Sequence, residues 1–66
     1  MKKLESKHYR HVMYKASEEM AELSAELLKA ANKKIDDQSM KKIKDEYSDV
    51  KKQLKLLDII IQEYYK

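Results

Sequence analysis

Five carboxylates in two short clusters are the residues of this chain best suited to chemistry. Glu19 and Glu22 lie three residues apart in the first cluster, and Glu46 and Asp49 have the same spacing in the second. Residues three apart share a face of a helix, so each pair presents two carboxylates side by side. Glu18 adds a fifth carboxylate beside the first pair. Because the chain has no Cys, oxygen-only ligation favours Mg²⁺ or Mn²⁺ over zinc.

The acids within each cluster are grouped and do not alternate with lysines. Glu22 lies four residues from both Glu18 and Glu26, a spacing at which like charges cost about 0.2–0.5 kcal/mol on an isolated helix. A bound cation would reverse the sign of that cost. The alternative is that the acids belong to two solvated helix faces rich in Lys and Glu. Such faces are common, and 41% of the residues of this chain are charged. The residues alone leave both interpretations open.

Two amphipathic helices are expected to position these acids. Apolar residues recur at helical spacing from about 4 to 31 and again from about 39 to 65. The absence of Gly and Pro disfavours β-hairpins and Gly-rich phosphate loops. Asn32 can end the first helix, and Asp36, Asp37 or Ser39 can cap the second. We therefore predict an all-α fold, an antiparallel two-helix hairpin that forms a single domain over residues 1–66.

Each predicted helix carries an apolar stripe that we expect to form the core. The second helix also has apolar residues off its stripe, at Leu56, Ile59 and Ile60, and such a helix needs a second neighbour. We expect the hairpin to assemble into a dimeric four-helix bundle or a larger helical oligomer. The predicted stripes are Tyr9, Val12, Ala16, Met20, Leu23, Leu27 and Ala30, then Ile43, Tyr47, Val50, Leu54, Leu57, Ile61 and Tyr64.

The two acidic pairs match in height along the predicted hairpin. Their midpoint falls near Lys34, inside the predicted turn, which places both pairs roughly 20 Å from the turn at the helical rise. Four carboxylates would then converge at one level. Glu19 and Glu46 are expected to border the apolar stripes without being part of them.

The double acidic motif resembles the signature of the all-α nucleoside triphosphate pyrophosphohydrolases, which include MazG and the dimeric dUTPases. Residues 15–23 (KASEEMAEL) and 45–57 (DEYSDVKKQLKLL) are similar to the two motif helices of small, phage-type MazG-like proteins. The resemblance implies Mg²⁺-dependent cleavage of an NTP or dNTP into a nucleoside monophosphate and pyrophosphate. It implies that Glu19, Glu22, Glu46 and Asp49 are metal ligands. Glu18 would be an additional ligand or a catalytic residue that orients water.

Basic and aromatic side chains near the acids are candidates for holding the nucleotide. Lysines one helical turn away could meet phosphates, and aromatic rings could stack on the base. The plainer interpretation is solvated lysines and, for Tyr47, a place in the core. The candidates are Lys15, Lys29 and Lys42 for phosphates, and Tyr14, Tyr47 and His11 for the base.

Charge and hydropathy restrict the other partners. The net charge of +3 is mild, acids are interspersed among the lysines, and no nucleic-acid motif is present, so nucleic acid is disfavoured as a partner. The longest apolar run, residues 59–61, cannot span a membrane. Without a secretory signal core, we expect a cytoplasmic protein, in the host cytoplasm if it is phage-encoded.

Three functions remain open at this point. Members of the resembled family usually have further helical sequence after the second motif, whereas this chain ends at Lys66. A single hairpin cannot enclose a nucleotide, so we expect a hydrolytic site to need groups from a neighbouring subunit. The first alternative is a non-catalytic binder that sequesters a nucleotide signal. The second is an oligomeric helical interaction module.

Overall fold

Two long helices make up the fold. The computed structural model describes the backbone of residues 3–66 and the side chains of residues 7–66, so the basic start at Met1 and Lys2 lies outside the described residues. Helix α1 spans Lys3–Asn32 and helix α2 spans Asp37–Tyr64. They pack along each other in a rod of 48 × 14 × 14 Å, and residues 3–66 contain no β-strand. The predicted all-helical hairpin is confirmed.

A capping box begins α2. The Asp36 carboxylate accepts a hydrogen bond from the Ser39 backbone N–H at 2.8 Å, and the Ser39 hydroxyl accepts one from the Asp36 N–H at 2.9 Å. This reciprocal pair satisfies two backbone donors that a helix start leaves unpaired. Asp36 is thus the cap among the three candidates. Asn32 is the last residue of α1, and no described residue has the positive φ of a left-handed cap.

The contact line between the helices, called the seam below, follows steps of three and four residues. This spacing averages 3.5 residues per turn, the repeat of a two-stranded coiled coil. Only Val12, Ala16, Ala30, Val50 and Ile60 are fully buried among the described residues. The seam comprises Tyr9, Val12, Ala16, Glu19, Leu23, Glu26 and Ala30 of α1, and Ser39, Ile43, Glu46, Val50, Gln53, Leu57 and Ile60 of α2.

Several apolar residues predicted for the core lie outside the seam, and that part of the prediction is wrong. A stripe drawn at 3.6 residues per turn drifts away from a seam that repeats every 3.5. Glu19 and Glu46, predicted to border the core, are half-buried in the seam itself. The residues left exposed on the hairpin are Met20, Leu27, Tyr47, Leu54, Ile61 and Tyr64.

The two edges that flank the seam differ in chemistry. The apolar edge consists of residues one position after every second seam residue, and its members are 43–53% exposed. The polar edge consists of residues one position before the seam residues in between, and it also includes Leu56 on α2. The apolar edge is Met13, Met20 and Leu27 of α1 with Met40, Tyr47, Leu54 and Ile61 of α2; the polar edge is Lys15, Glu22, Lys29, Lys42, Asp49 and Leu56.

Neither described helix has an apolar stretch of the length needed to cross a bilayer.

Candidate functional site

Three carboxylates meet halfway along the hairpin. One ligand oxygen each from Glu19, Glu22 and Glu46 lies within 4.8 Å of the others. Asp49 is close enough that its charge acts on Glu19. Glu19 and Glu46 reach this place from the seam, while Glu22 reaches it from the polar edge. The structure therefore brings together three of the four residues that the sequence predicted as metal ligands, and Asp49, the fourth, lies near Glu19.

Two carboxylate oxygens of this cluster are buried without a partner. Oε1 of Glu19 and Oε1 of Glu46 are each buried and accept no hydrogen bond from the described part of the chain. The Glu19 side chain as a whole is 15% exposed. A buried acceptor that has lost its water without gaining a donor destabilises the fold, so these two atoms define a place where an added positive charge would be stabilising.

Lys15 is the cation beside the cluster. Its Nζ lies 3.8 Å from Glu18 Oε1 and 3.8 Å from Glu19 Oε2. The Lys15 side chain is 43% exposed and that of Glu18 is 66% exposed, so water screens both interactions. One half-exposed ammonium group thus faces several carboxylates.

The electrostatics of the cluster disfavour a negative charge on Glu19. Burial at the seam is the main cause that raises the pKa of Glu19 above its ordinary value of 4.5, and the charges of Glu22 and Asp49 add to it. Lys15 acts in the opposite direction without cancelling the rise. The folded hairpin without a cation therefore favours the protonated form of this carboxyl more than the unfolded chain does.

The donor set fits a small, hard divalent cation. Mg²⁺ binds oxygen at about 2.0–2.1 Å in octahedral geometry, so two of its ligands lie at most about 4.2 Å apart. The 4.8 Å spread of the cluster is close to that limit, and rotation of one exposed carboxylate such as that of Glu22 can reduce it. Mn²⁺ takes the same oxygen ligands. Glu19, Glu22, Glu46 and Asp49 could hold such an ion, with water in the remaining positions.

The predicted phosphate-binding lysines all lie on the polar edge. Lys15 is beside the acids, as described above. Lys29 and Lys42 lie nearer the turn, where they line a shallow cavity of about 260 Å³. Lys29 Nζ is 3.5 Å from Glu26 Oε2, so part of its charge is already compensated. The polar edge thus carries acids halfway along the hairpin and lysines nearer the turn, where the cavity lies.

The predicted base-stacking residues lie elsewhere. Tyr14 is 71% exposed on the outer surface of α1. Tyr47 belongs to the apolar edge, across the seam from the polar edge, and the Lys51 ammonium lies 5.4 Å from its ring centroid. His11 is exposed near the open end of the hairpin. The structure does not bring these three rings to the acidic cluster.

The sequence prediction assigned no site role to four polar residues of this region. Glu26 and Gln53 occupy seam positions one heptad from Glu19 and Glu46, so polar residues recur along the seam. The signal for them was that seven-residue spacing. Lys33 and Lys34 lie in and beside the turn and line the cavity together with Lys29 and Lys42. The sequence feature that could have identified them is that they are two adjacent basic residues close to the cap of α2.

Comparison of the chain with protein-family models, with curated proteins and with solved structures finds no match. The resemblance to the all-α pyrophosphohydrolases therefore depends on the motif residues alone and stays a prediction.

Proposed function

We propose that this protein binds nucleotides through a divalent cation and is a MazG-like nucleoside triphosphate pyrophosphohydrolase that acts in the cytoplasm. The reaction adds water to the α-phosphorus of an NTP or dNTP and breaks its bond to the oxygen that bridges to the β-phosphorus, which releases pyrophosphate. The single observation that supports the proposal is the meeting of Glu19, Glu22 and Glu46 at mid-seam. Two of these carboxylates have a buried oxygen without a partner.

The acidic residues at mid-seam and the lysines of the polar edge are assigned separate tasks in this proposal. Glu19, Glu22, Glu46 and Asp49 would hold Mg²⁺ or Mn²⁺, which supplies neutralisation of phosphate charge and activation of water. Glu18, exposed at the margin of the cluster, orients a water molecule. Lys15 attracts the phosphates next to the cluster, and Lys29 and Lys42 attract those nearer the turn, where they line the same cavity.

We also propose that the hairpin works as a homodimer or a larger homo-oligomer. The hairpin buries few large apolar side chains. Two of the five fully buried residues are alanines, Ala16 and Ala30. A core this small needs additional burial to be stable.

The test is release of pyrophosphate from a panel of NTPs and dNTPs in the presence of Mg²⁺ or Mn²⁺. We expect release by the unmodified protein and a loss of at least about 100-fold in Glu19→Gln/Glu46→Gln, because the variant removes two ligand charges. The matched control is Asp58→Asn/Glu63→Gln, which removes two acidic charges on exposed residues of α2 far from the cluster. Absence of release across the panel by folded protein would overturn the catalytic proposal.

The second candidate is a nucleotide binder that does not hydrolyse its ligand and so sequesters a nucleotide signal. The openness of the site favours it, because Glu22 and Asp49 of the polar edge and the neighbouring Glu18 are all exposed. This candidate predicts cation-dependent thermal stabilisation by a nucleotide that is afterwards recovered intact. Recovery of monophosphate and pyrophosphate would exclude it.

A further inference from the structure

The apolar edge is a continuous surface shared by both helices. At the open end, Met13 of α1 and Ile61 of α2 line one apolar cavity of about 120 Å³ together with Tyr9 and Ile60. Further members follow at steps of seven residues toward the turn, so the two helices present parallel rows of large apolar side chains. All seven members are 43–53% exposed, whereas scattered single exposures are the ordinary case for a monomer.

The uncharged surface continues from the apolar edge onto the outside of α1 but not onto the outside of α2. Apart from Glu18, the outer face of α1 from residue 13 to 31 bears small and apolar residues, whereas the outer face of α2 is rich in lysine. The residues concerned are Tyr14, Ser17, Ala21, Ser24, Leu28 and Ala31 on α1, and Lys41, Lys44, Lys51, Lys55 and Asp58 on α2. A partner that covers the apolar edge and extends over α1 therefore meets few charges, because Glu18 lies on the side of this face that is nearer the polar edge.

The exposed area is large enough for a stable interface. The hairpin exposes 5705 Å², whereas a compact monomer of its mass, 7.9 kDa, exposes about 4,400 Å². The excess of about 1,300 Å² belongs to the elongated rod as a whole, and it is larger than the roughly 800 Å² that each partner buries in a standard protein–protein interface. A second hairpin presents rows of the same length and spacing, and a two-fold axis matches such rows with themselves.

We propose that the apolar edge, extended over the outer face of α1, is the contact surface for a second copy of this chain. The two hairpins then form a four-helix bundle in which the lysine-rich face of α2 stays in water. Because the apolar and polar edges lie on opposite sides of the seam, the partner leaves the acidic cluster uncovered. Each hairpin keeps its own open site, and this interface does not supply the neighbouring-subunit groups expected from the sequence.

Two leucines of α2 provide a matched test of the surface. Leu54 is on the apolar edge and is 43% exposed, whereas Leu56 is on the polar edge and is 42% exposed. The unmodified protein should sediment at twice the chain mass. Leu54→Glu should weaken dimerisation at least about 100-fold, because two buried copies are lost in each dimer. Leu56→Glu should change the dissociation constant by less than about threefold. A monomeric unmodified protein, equal effects of the two variants, or a larger effect at Leu56 would overturn the proposal.

Single cysteine variants provide a second test of the contact surface, which is needed if Leu54→Glu unfolds the chain. The chain has no Cys, so single Ser→Cys variants report on one place each. Ser24 lies beside the apolar edge, whereas Ser48 lies on the outside of α2. Ser24→Cys should therefore react with a thiol reagent at least about tenfold more slowly than Ser48→Cys. Dilution to concentrations at which the protein is monomeric should remove this difference in rate. Glu18→Cys, at the margin of the acidic cluster, should react as fast as Ser48→Cys. Slow reaction at Glu18→Cys or fast reaction at Ser24→Cys in concentrated protein would contradict the proposed placement of the partner.

Discussion

The ends and the middle of the seam are built from different chemistry. At the open end, Val12 and Ile60 are each 2% exposed and pack as ordinary apolar layers. In the middle, Glu19 and Glu46 occupy equivalent positions and leave buried oxygens without partners. Since one seam contains both, the apolar layers stabilise the hairpin while the acidic layer weakens it in the absence of a cation. The contrast separates the residues that maintain the fold from those that would bind a ligand.

The largest expected effect comes from an apolar layer. Ile60→Ala should lower the free energy of unfolding by about 2–4 kcal/mol, since it opens a cavity in a small core. Ile59→Ala is the control, because Ile59 is 51% exposed and loses little burial. Urea unfolding at one fixed protein concentration measures both. Equal losses at the two positions would show that Ile60 does not lie in the layer that stabilises the fold.

The next effect concerns the acidic layer. Mg²⁺ or Mn²⁺ should raise the stability of the unmodified protein by about 2.7 kcal/mol at a hundredfold excess over its dissociation constant. Glu46→Gln should lose most of this gain, while Asp58→Asn/Glu63→Gln should retain it. Thermal unfolding with and without the metal ion, in the absence of nucleotide, measures this gain in stability. A gain of the same size in Glu46→Gln would place the cation outside the cluster.

A smaller effect separates loss of stability from loss of ligand binding. Asp36→Ala should lower the free energy of unfolding by about 1 kcal/mol, since it removes the capping box at the start of α2. Asp36 lies at the turn, away from the acidic layer, so the gain on adding Mg²⁺ should be unchanged. Asp37→Ala is the comparison, because Asp37 is exposed and does not form the box. If the stabilisation by Mg²⁺ disappeared in Asp36→Ala, cation binding at the acidic layer would depend on the capping box at the turn.

The smallest expected effect is a pH dependence of the acidic layer. Because the pKa of Glu19 is raised above 4.5 in the folded state, the folded protein binds more protons than the unfolded chain just above that pH. The stabilisation that comes from protonated Glu19 in the folded state is fully present below pH 4.5. It is lost as the pH rises through the raised pKa of Glu19. Without a metal, Glu19→Gln should therefore unfold at a higher temperature than the unmodified protein at pH 7, and the gap should narrow toward pH 4. Thermal unfolding of both proteins at pH 4 and pH 7 measures the gap, and a gap of equal size at the two pH values would contradict the prediction.

Much of the fold followed from local signals. The ends of both helices lie within about two residues of the predicted ones, because helix propensity and capping act over a few neighbouring residues. The meeting of Glu19 with Glu46 followed from their equal distance from the turn, which depends only on the helical rise. The predicted core was less accurate, since Met20 and Tyr47 lie on the apolar edge and Glu19 and Glu46 in the seam.

Two long helices, the turn between them and the height at which the acids meet all follow from the order of the residues along the chain. These properties depend on local backbone preferences and on the distance along one helix, so residues close together in the sequence are sufficient to determine them. The rotation of each helix about its own axis, which separates a polar edge from an apolar edge, is set by the packing of the two helices against each other. That rotation depends on how the side chains of two helices interlock at 3.5 residues per turn, and no stripe on a single helix specifies it.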